Sequence, residues 1–220
     1  VSCLVTLELT GITVSFNSAP LEWWLSLPII VIYPLLFGWV SYQTATKLAE
    51  HKRRLQVMST RDGMTGVYNR RHWETMLRNE FDNCRRHNRD ATLLIIDIDH
   101  FKSINDTWGH DVGDEAIVAL TRQLQITLRG SDVIGRFGGD EFAVIMSGTP
   151  AESAITAMLR VHEGLNTLRL PNTPQVTLRI SVGVAPLNPQ MSHYREWLKS
   201  ADLALYKAKK AGRNRTEVAA

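Results

Sequence analysis

Cysteine is almost absent from the chain. Two thiols in 220 residues, Cys3 and Cys84, cannot build a disulfide framework or a four-cysteine zinc site. They read as idle thiols of a reducing compartment. Strong net charge is also missing: the formal balance is only +3. Lys and Arg do not occur before residue 43, where the acids are Glu8 and Glu22 alone. The rest holds all 25 bases and 20 of the 22 acids, a balance of +5. That is too mild to point to nucleic acid. Repeats and low-complexity segments are lacking too. With 44% hydrophobic and 21% charged residues, the chain is not disordered. Its length suits one domain plus an extra piece, or two small domains.

A second absence marks residues 23–42. WWLSLPIIVIYPLLFGWVSY carries no charge, and ~20 apolar residues in a helix span the hydrocarbon core of a bilayer. Trp23, Trp24, Trp39 and Tyr42 stand at its ends, where aromatic rings favour the headgroup layer. Pro28 and Pro34 are better tolerated in a spanning helix than in a soluble one. The expectation is therefore a transmembrane helix over about 23–42, within a membrane region 1–42. A buried core helix is the alternative. No basic region precedes the run, which speaks against a secretory signal. Lys47, Lys52, Arg53 and Arg54 follow it, so the remainder is expected on the cytoplasmic side. Val1 rather than Met opens the chain, as in a piece of a longer protein. Residues 1–19 fit the tail of another span, a loop or a strand. Residues 43–60, with Leu48, Leu55 and Met58 near helical spacing, read as a helical stalk. That stripe suits either pairing with a second copy or a plain linker.

Beyond residue 60 the pattern mixes helices and strands. Residues 61–69 (RDGMTGVYN) read as a turn region. Helices are expected over 70–89, 111–128, 151–168 and 194–211. ATLLIIDI at 91–98 is a continuous apolar run, hence a buried strand. Residues 132–135 and 142–146 read as strands around a Gly-Gly turn. Residues 176–186 hold another strand, and 216–218 a short final one. This order predicts an α+β fold, an antiparallel or mixed sheet with helices packed on it.

Two acidic sites adjoin buried strands. Asp97 sits where strand 91–98 leaves the sheet, and an acid there is costly unless paired or bound to a cation. Asp140 and Glu141 follow Gly138 and Gly139, which are expected to supply positive φ for a tight hairpin. Either patch alone suits solvated acids at a tip. Together, beside buried strands, they point to Mg²⁺ or Mn²⁺ shared with phosphates. Phe101 and Lys102 are expected to leave the strand as a turn whose N–H groups cradle phosphate. Asn105 and Asp114 offer donors and acceptors that match a purine edge. Lys207, Lys209, Lys210, Arg213 and Arg215 form a basic helix end. It would complement the helix dipole or neutralise phosphate.

These residues resemble a known family, the GGDEF domains or diguanylate cyclases. Gly138-Gly139-Asp140-Glu141-Phe142 is the naming signature. Asp62-Gly63-Met64-Thr65-Gly66, Asn69-Arg70, Asp97-Ile98-Asp99, Phe101-Lys102, Asn105-Asp106, Gly109-His110, Gly113-Asp114 and Ala208-Lys209 with Gly212-Arg213-Asn214 follow in the family's order and spacing. The resemblance covers about residues 60–217 and assigns 61–220 to the cyclase domain. It implies a palm like that of nucleotide cyclases and polymerases, a central sheet wrapped by helices. It further implies a homodimer that converts two GTP into cyclic di-GMP and two pyrophosphates. By position, Asp97, the Ile98 carbonyl, Asp140 and Glu141 would hold two divalent ions per GTP. Asp140 would also be the general base, and Lys102 would offset transition-state charge. Asn105 and Asp114 would bind guanine, with Met64 lining the purine pocket and His110 nearby. Phe101, Lys102, Lys209 and Arg213 would contact phosphates. Met64 stands where leucine is usual, and Trp108 where a smaller aromatic is common.

Arg129-Gly130-Ser131-Asp132 resembles the family's product-inhibition site, with Arg160 on the next helix as a contributor. An Arg and an Asp near a strand start are otherwise ordinary. Degenerate members bind nucleotide without turnover and lose an acid or glycine of the signature. Asp97, Asp140 and Glu141 are all present, so an active enzyme is expected. The first 42 residues resemble the end of an integral-membrane sensory domain. The implied setting is a bacterial inner membrane with the catalytic domain cytoplasmic. The implied output is a shift from motility towards biofilm and exopolysaccharide.

Overall fold

The computed structural model describes residues 32–48, 60–171, 173 and 175–219. The chain divides into two compact units, Val1–Met58 and Ser59–Ala220. In the first, helix α1 covers residues 32–48 with every residue exposed. Tyr33, Leu36, Phe37 and Trp39 are each more than half exposed. Apolar residues all round a helix call for a non-aqueous or protein neighbour. Among the described residues no helix is long and apolar enough to cross a membrane. The first part of the expected span 23–42, and residues 49–59 of the expected stalk, lie outside the described residues.

The second unit is a six-stranded mixed sheet between two helical layers. Strands β1 (Tyr68–Asn69), β2 (Ala91–Ile98), β3 (Val133–Arg136), β4 (Glu141–Ser147), β5 (Ile180–Pro186) and β6 (Arg215–Val218) lie in the order β1-β3-β4-β2-β5-β6. β2 pairs antiparallel with β4 and with β5. The edge strands β1 and β6 pair parallel with β3 and β5. Every residue of β2 is buried, as a strand covered on both faces must be.

Alternation along the strands assigns the layers. Leu94, Ile96, Ile98, Val144 and Val182 face helices α4 (His110–Thr127) and α5 (Ala151–Thr167), meeting Leu120 and Met158. Leu93, Ile95 and Ile145 face helices α2 (Arg70–His87) and α6 (Tyr194–Lys210), meeting Trp73, Leu77 and Trp197. Each fully buried side chain of this size contributes about 1.5–3 kcal/mol. Gly183 of β5 lets the α6 backbone lie directly on the sheet. A Cβ there would stand 2.1 Å from the Ala201 carbonyl oxygen. Cys84 is buried within α2, and its thiol is pushed up to about 12 by burial and by Glu80. It is inert at neutral pH.

Two expectations need correction. Residues 101–108 form helix α3, not a turn, because Phe101 and Ile104 sit one helical turn apart and pack on the core. Within 61–69, Tyr68–Asn69 is a strand, held by its register with Gly135 and Arg136. The strand expected within 176–186 is β5, Ile180–Pro186.

Candidate active site

The site forms where β2 ends. Asp97 is buried there, paired in register with Glu141 of β4 on one side and Ser181 of β5 on the other. The Ile98 N–H donates to the Asp140 carbonyl at 3.3 Å. Backbone pairing therefore sets the two acidic patches side by side. Burial raises the Asp97 carboxyl above its usual range. Lys209 opposes the rise, and the charges of Asp140 and Glu141 add to it. Lys209 comes from the last turn of α6, and its ammonium stands 2.7 Å from Asp97 Oδ2.

The turn 137–140 closes on the Phe137 N–H, which donates to the Glu141 carbonyl at 2.8 Å. Neither Gly138 nor Gly139 has the expected positive φ. Their carbonyls are instead gripped from below by Arg136. Its Nε donates to both, at 3.2 Å each, and its Nη2 donates to Gly139 at 2.8 Å. Its Nη1 reaches Asp62 Oδ1 at 3.1 Å and Met64 Sδ at 3.4 Å. Asp62 also accepts from the Thr65 backbone and hydroxyl. Burial alone would raise Asp62, but these bonds and Arg136 together lower it. Arg136 was not apparent as a site residue in the sequence. An Arg two places before the glycine pair, with an acid free to meet it, is the signal that finds it.

Asn105 lies on α3 against Gly113 of α4. A Cβ on Gly113 would stand 1.9 Å from Asn105 Oδ1 and 3.2 Å from the Phe101 ring. Asn105 Oδ1 is buried without a hydrogen-bond partner among the described residues. Such an acceptor carries a desolvation cost that a ligand donor would relieve. Asp114, next along α4, opens onto a groove of about 540 Å³ with Arg122 and Arg169. Met64, Lys102 and His110 are exposed, while Phe101 is half-buried.

Past α6 the chain turns through a left-handed stretch. Gly212, Arg213 and Asn214 have φ of +112°, +63° and +45°. The Arg213 N–H donates to the Ala208 carbonyl at 3.0 Å. The Asn214 N–H donates to Asp99 Oδ2 at 2.8 Å, and the Ser181 hydroxyl donates to Asp99 Oδ1 at 2.6 Å.

Asp97, Asp140, Glu141 and the Ile98 carbonyl are hard oxygen donors of the kind that Mg²⁺ or Mn²⁺ takes. Burial and the repulsion from Asp140 and Glu141 raise Asp97, and a divalent cation would relieve both, so the donor set fits. Among the described residues, no three His, Cys, Asp or Glu side chains yet form a metal cage. Lys209 also brings positive charge to Asp97.

Arg129, Asp132 and Arg160 line one cavity of about 230 Å³ on the far side of α4 and α5, with Thr149 and Ser153. Asp132 Oδ2 accepts from the Arg129 N–H at 2.9 Å. Its Oδ1 is buried without a hydrogen-bond partner among the described residues, and burial raises the carboxyl.

Comparison with known proteins comes to one family. The model "Diguanylate cyclase, GGDEF domain" matches residues 59–215. Diguanylate cyclase DosC of Escherichia coli (strain K12) is 35% identical over 159 residues, 71% of this chain and 34% of DosC. Cyclic di-GMP phosphodiesterase NbdA of Pseudomonas aeruginosa is 30% identical over 193 residues, 82% of this chain and 25% of NbdA. The chain therefore spans about a third, or less, of the length of these curated relatives. The crystal structure of the GGDEF domain of DgcB from Caulobacter crescentus, in complex with c-di-GMP, is similar at a TM-score of 0.69. It is 30% identical and covers 73% of this chain and 96% of that one.

Proposed function

The chain belongs to the GGDEF family of diguanylate cyclases, and from that premise we propose that it condenses two GTP into cyclic di-GMP and two pyrophosphates. The observation that carries the reading is the register of β2 with β4. It sets Asp97 opposite Glu141, with Lys209 on Asp97 and the exposed Lys102 in the first turn of α3. Carboxylates for cations and cations for phosphates thus meet at one sheet end.

Asp97, the Ile98 carbonyl, Asp140 and Glu141 would hold two Mg²⁺ or Mn²⁺. When bound, the ions polarise the α-phosphate and offset charge on the leaving pyrophosphate. The rest falls to side chains. Asn105 and Asp114 read the guanine edge, Met64 packs on the purine and His110 lies nearby. Phe101, Lys102, Lys209 and Arg213 hold the triphosphate. Asp140 takes the proton of the 3′-OH. The 3′-oxygen of one GTP bonds to the α-phosphorus of the other, the bond to the β-phosphate oxygen breaks, and pyrophosphate leaves. A second, symmetric step closes the ring. One GTP per subunit makes the homodimer the active unit. Cyclic di-GMP in the Arg129–Asp132–Arg160 cavity would inhibit the enzyme. The exposed apolar residues of α1 support a membrane region that holds the domain at the cytoplasmic face of a bacterial inner membrane. Cyclic di-GMP made there would favour biofilm over motility.

The test is turnover of GTP by the chain with Mg²⁺, with products followed by chromatography across protein concentrations. Cyclic di-GMP formed with a steeper than linear dependence on enzyme is expected. GTP bound without turnover, or hydrolysis of added cyclic di-GMP in place of synthesis, would overturn the reading.

A further inference from the structure

Asp97 and Asp99 flank Ile98, and both reach the same segment of chain. Asp97 meets Lys209 at the end of α6. Asp99 meets the Asn214 N–H in the loop that follows. Only Asp97 belongs to the metal set proposed above. Asp99 is 5% exposed, and a carboxylate that far from water needs compensation. Two hydrogen bonds supply it, from Asn214 and from the Ser181 hydroxyl.

The loop needs such a hold. Three successive residues lie at positive φ, and two of them, Arg213 and Asn214, carry side chains. Left-handed backbone at such residues persists only where its surroundings over-determine it. Several bonds do so here, among them the one between the Asn214 side chain and His162 and the one that Arg215 Nε donates to the Arg213 carbonyl at 3.2 Å. The Arg213 N–H is tied to Ala208, and the Asn214 N–H is tied to Asp99. Arg215 then enters β6 opposite Ser181, whose hydroxyl returns to Asp99. Asp99 is thus the side chain at which β2, β5 and the loop meet. Behind it, His162 of α5 bonds to Thr216 of β6 at 3.2 Å and closes the far side.

We propose that Asp99 is a positioning residue that holds the 212–214 loop in its left-handed form and so aims Arg213 at the terminal phosphates of GTP. The inference rests on the phosphate role proposed above for Arg213. Without the Asp99 acceptor, the Asn214 N–H loses its partner and the loop relaxes away from positive φ, carrying Arg213 with it. An amide can replace the carboxylate. Its oxygen accepts from Asn214, and its N–H donates to Ser181.

The experiment measures GTP and GMP affinity on the full chain by calorimetry, for Asp99→Ala, Asp99→Asn and Arg213→Ala. GMP lacks the phosphates assigned to Arg213. Asp99→Ala is expected to weaken GTP by about tenfold or more and to leave GMP within about twofold. Asp99→Asn is expected to bind both like the parent chain. Should Asp99→Ala not fold, Asn214→Ala, which makes the left-handed conformation costlier and also removes the side-chain hydrogen bond to His162, is expected to show the same selective loss. Selective loss in Arg213→Ala, with none in Asp99→Ala or Asn214→Ala, would overturn the inference and leave the proposed function intact. No selective loss in Arg213→Ala would remove the phosphate role itself, and the inference with it.

Discussion

Lys209 Nζ stands 2.7 Å from Asp97 Oδ2, so a group suited to phosphate and a group suited to metal neutralise one another. Asp97 is buried beside two further carboxylates, and the ammonium helps to make that burial tolerable.

Lys209→Met removes that compensation. The variant should be less stable by about 1–2 kcal/mol without divalent ions. Added Mg²⁺ should raise its unfolding midpoint more than that of the parent chain. Denaturant unfolding with and without Mg²⁺ checks this. Equal gains from Mg²⁺ would show that Lys209 does not stand in for the cation.

Arg136 grips both glycine carbonyls and Asp62 with one planar fork. A lysine has a single point charge and cannot reach all three. Arg136→Lys should therefore keep its fold and lose about 10–100-fold in kcat, because the Asp140 turn is no longer held. Steady-state kinetics beside a thermal melt decides the matter. Parent-like turnover would mean that the turn holds its shape unaided.

Gly113→Ala places a methyl where Asn105 Oδ1 now sits, 1.9 Å from the new carbon. Alanine in a helix interior gains about 0.5–1 kcal/mol over glycine, so stability should change little. Guanine reading should suffer instead, with GTP weakened by about tenfold and the preference for GTP over ATP reduced. Competitive binding of the two nucleotides measures it.

The fold beyond residue 60 was largely legible, because β2 is a continuous apolar run and α2, α4, α5 and α6 repeat at helical spacing. The acidic patches were legible for the same reason, each being an interruption of an apolar strand. Helix α3 was hidden, since only Phe101 and Ile104 mark its buried side. β1 has two residues, and its pairing with β3 is a property of register rather than of its own pattern. The Lys209–Asp97 and Asp99–Asn214 contacts join opposite ends of the domain sequence, so no local spacing announces them. The glycine pair misled, because its turn is held by Arg136 and not by positive φ.

Asp62 gives a pH test with a definite sign. Its folded carboxyl is lowered from 3.8. Its contribution is whole above the unfolded value and is lost as pH falls through the folded one. Asp62→Asn should cost about 0.5–1 kcal/mol at about pH 7 and less at about pH 2.5. Urea midpoints at the two pH values test it. A constant difference would place the loss in geometry rather than charge.

Arg129→Ala should leave the initial rate of synthesis unchanged and shift inhibition by added cyclic di-GMP to about tenfold higher concentration or beyond. Initial rates across a product titration give the answer. An unchanged curve would separate the cavity from inhibition.

The pairing of Asp97 with Glu141 belongs to an unbroken run that extends from Ala91 opposite Ser147. Side chains alternate faces along each strand, so a shift of one position would turn the whole of β4 over. Phe142 and Val144 would then trade places with Ala143 and Ile145 between the two helical layers. In genetic terms, this strand pair should absorb missense change far better than the loss or gain of a single in-frame codon within its strands. Such a lesion would strike packing and chemistry in one event, and natural length variation in the domain should fall outside it.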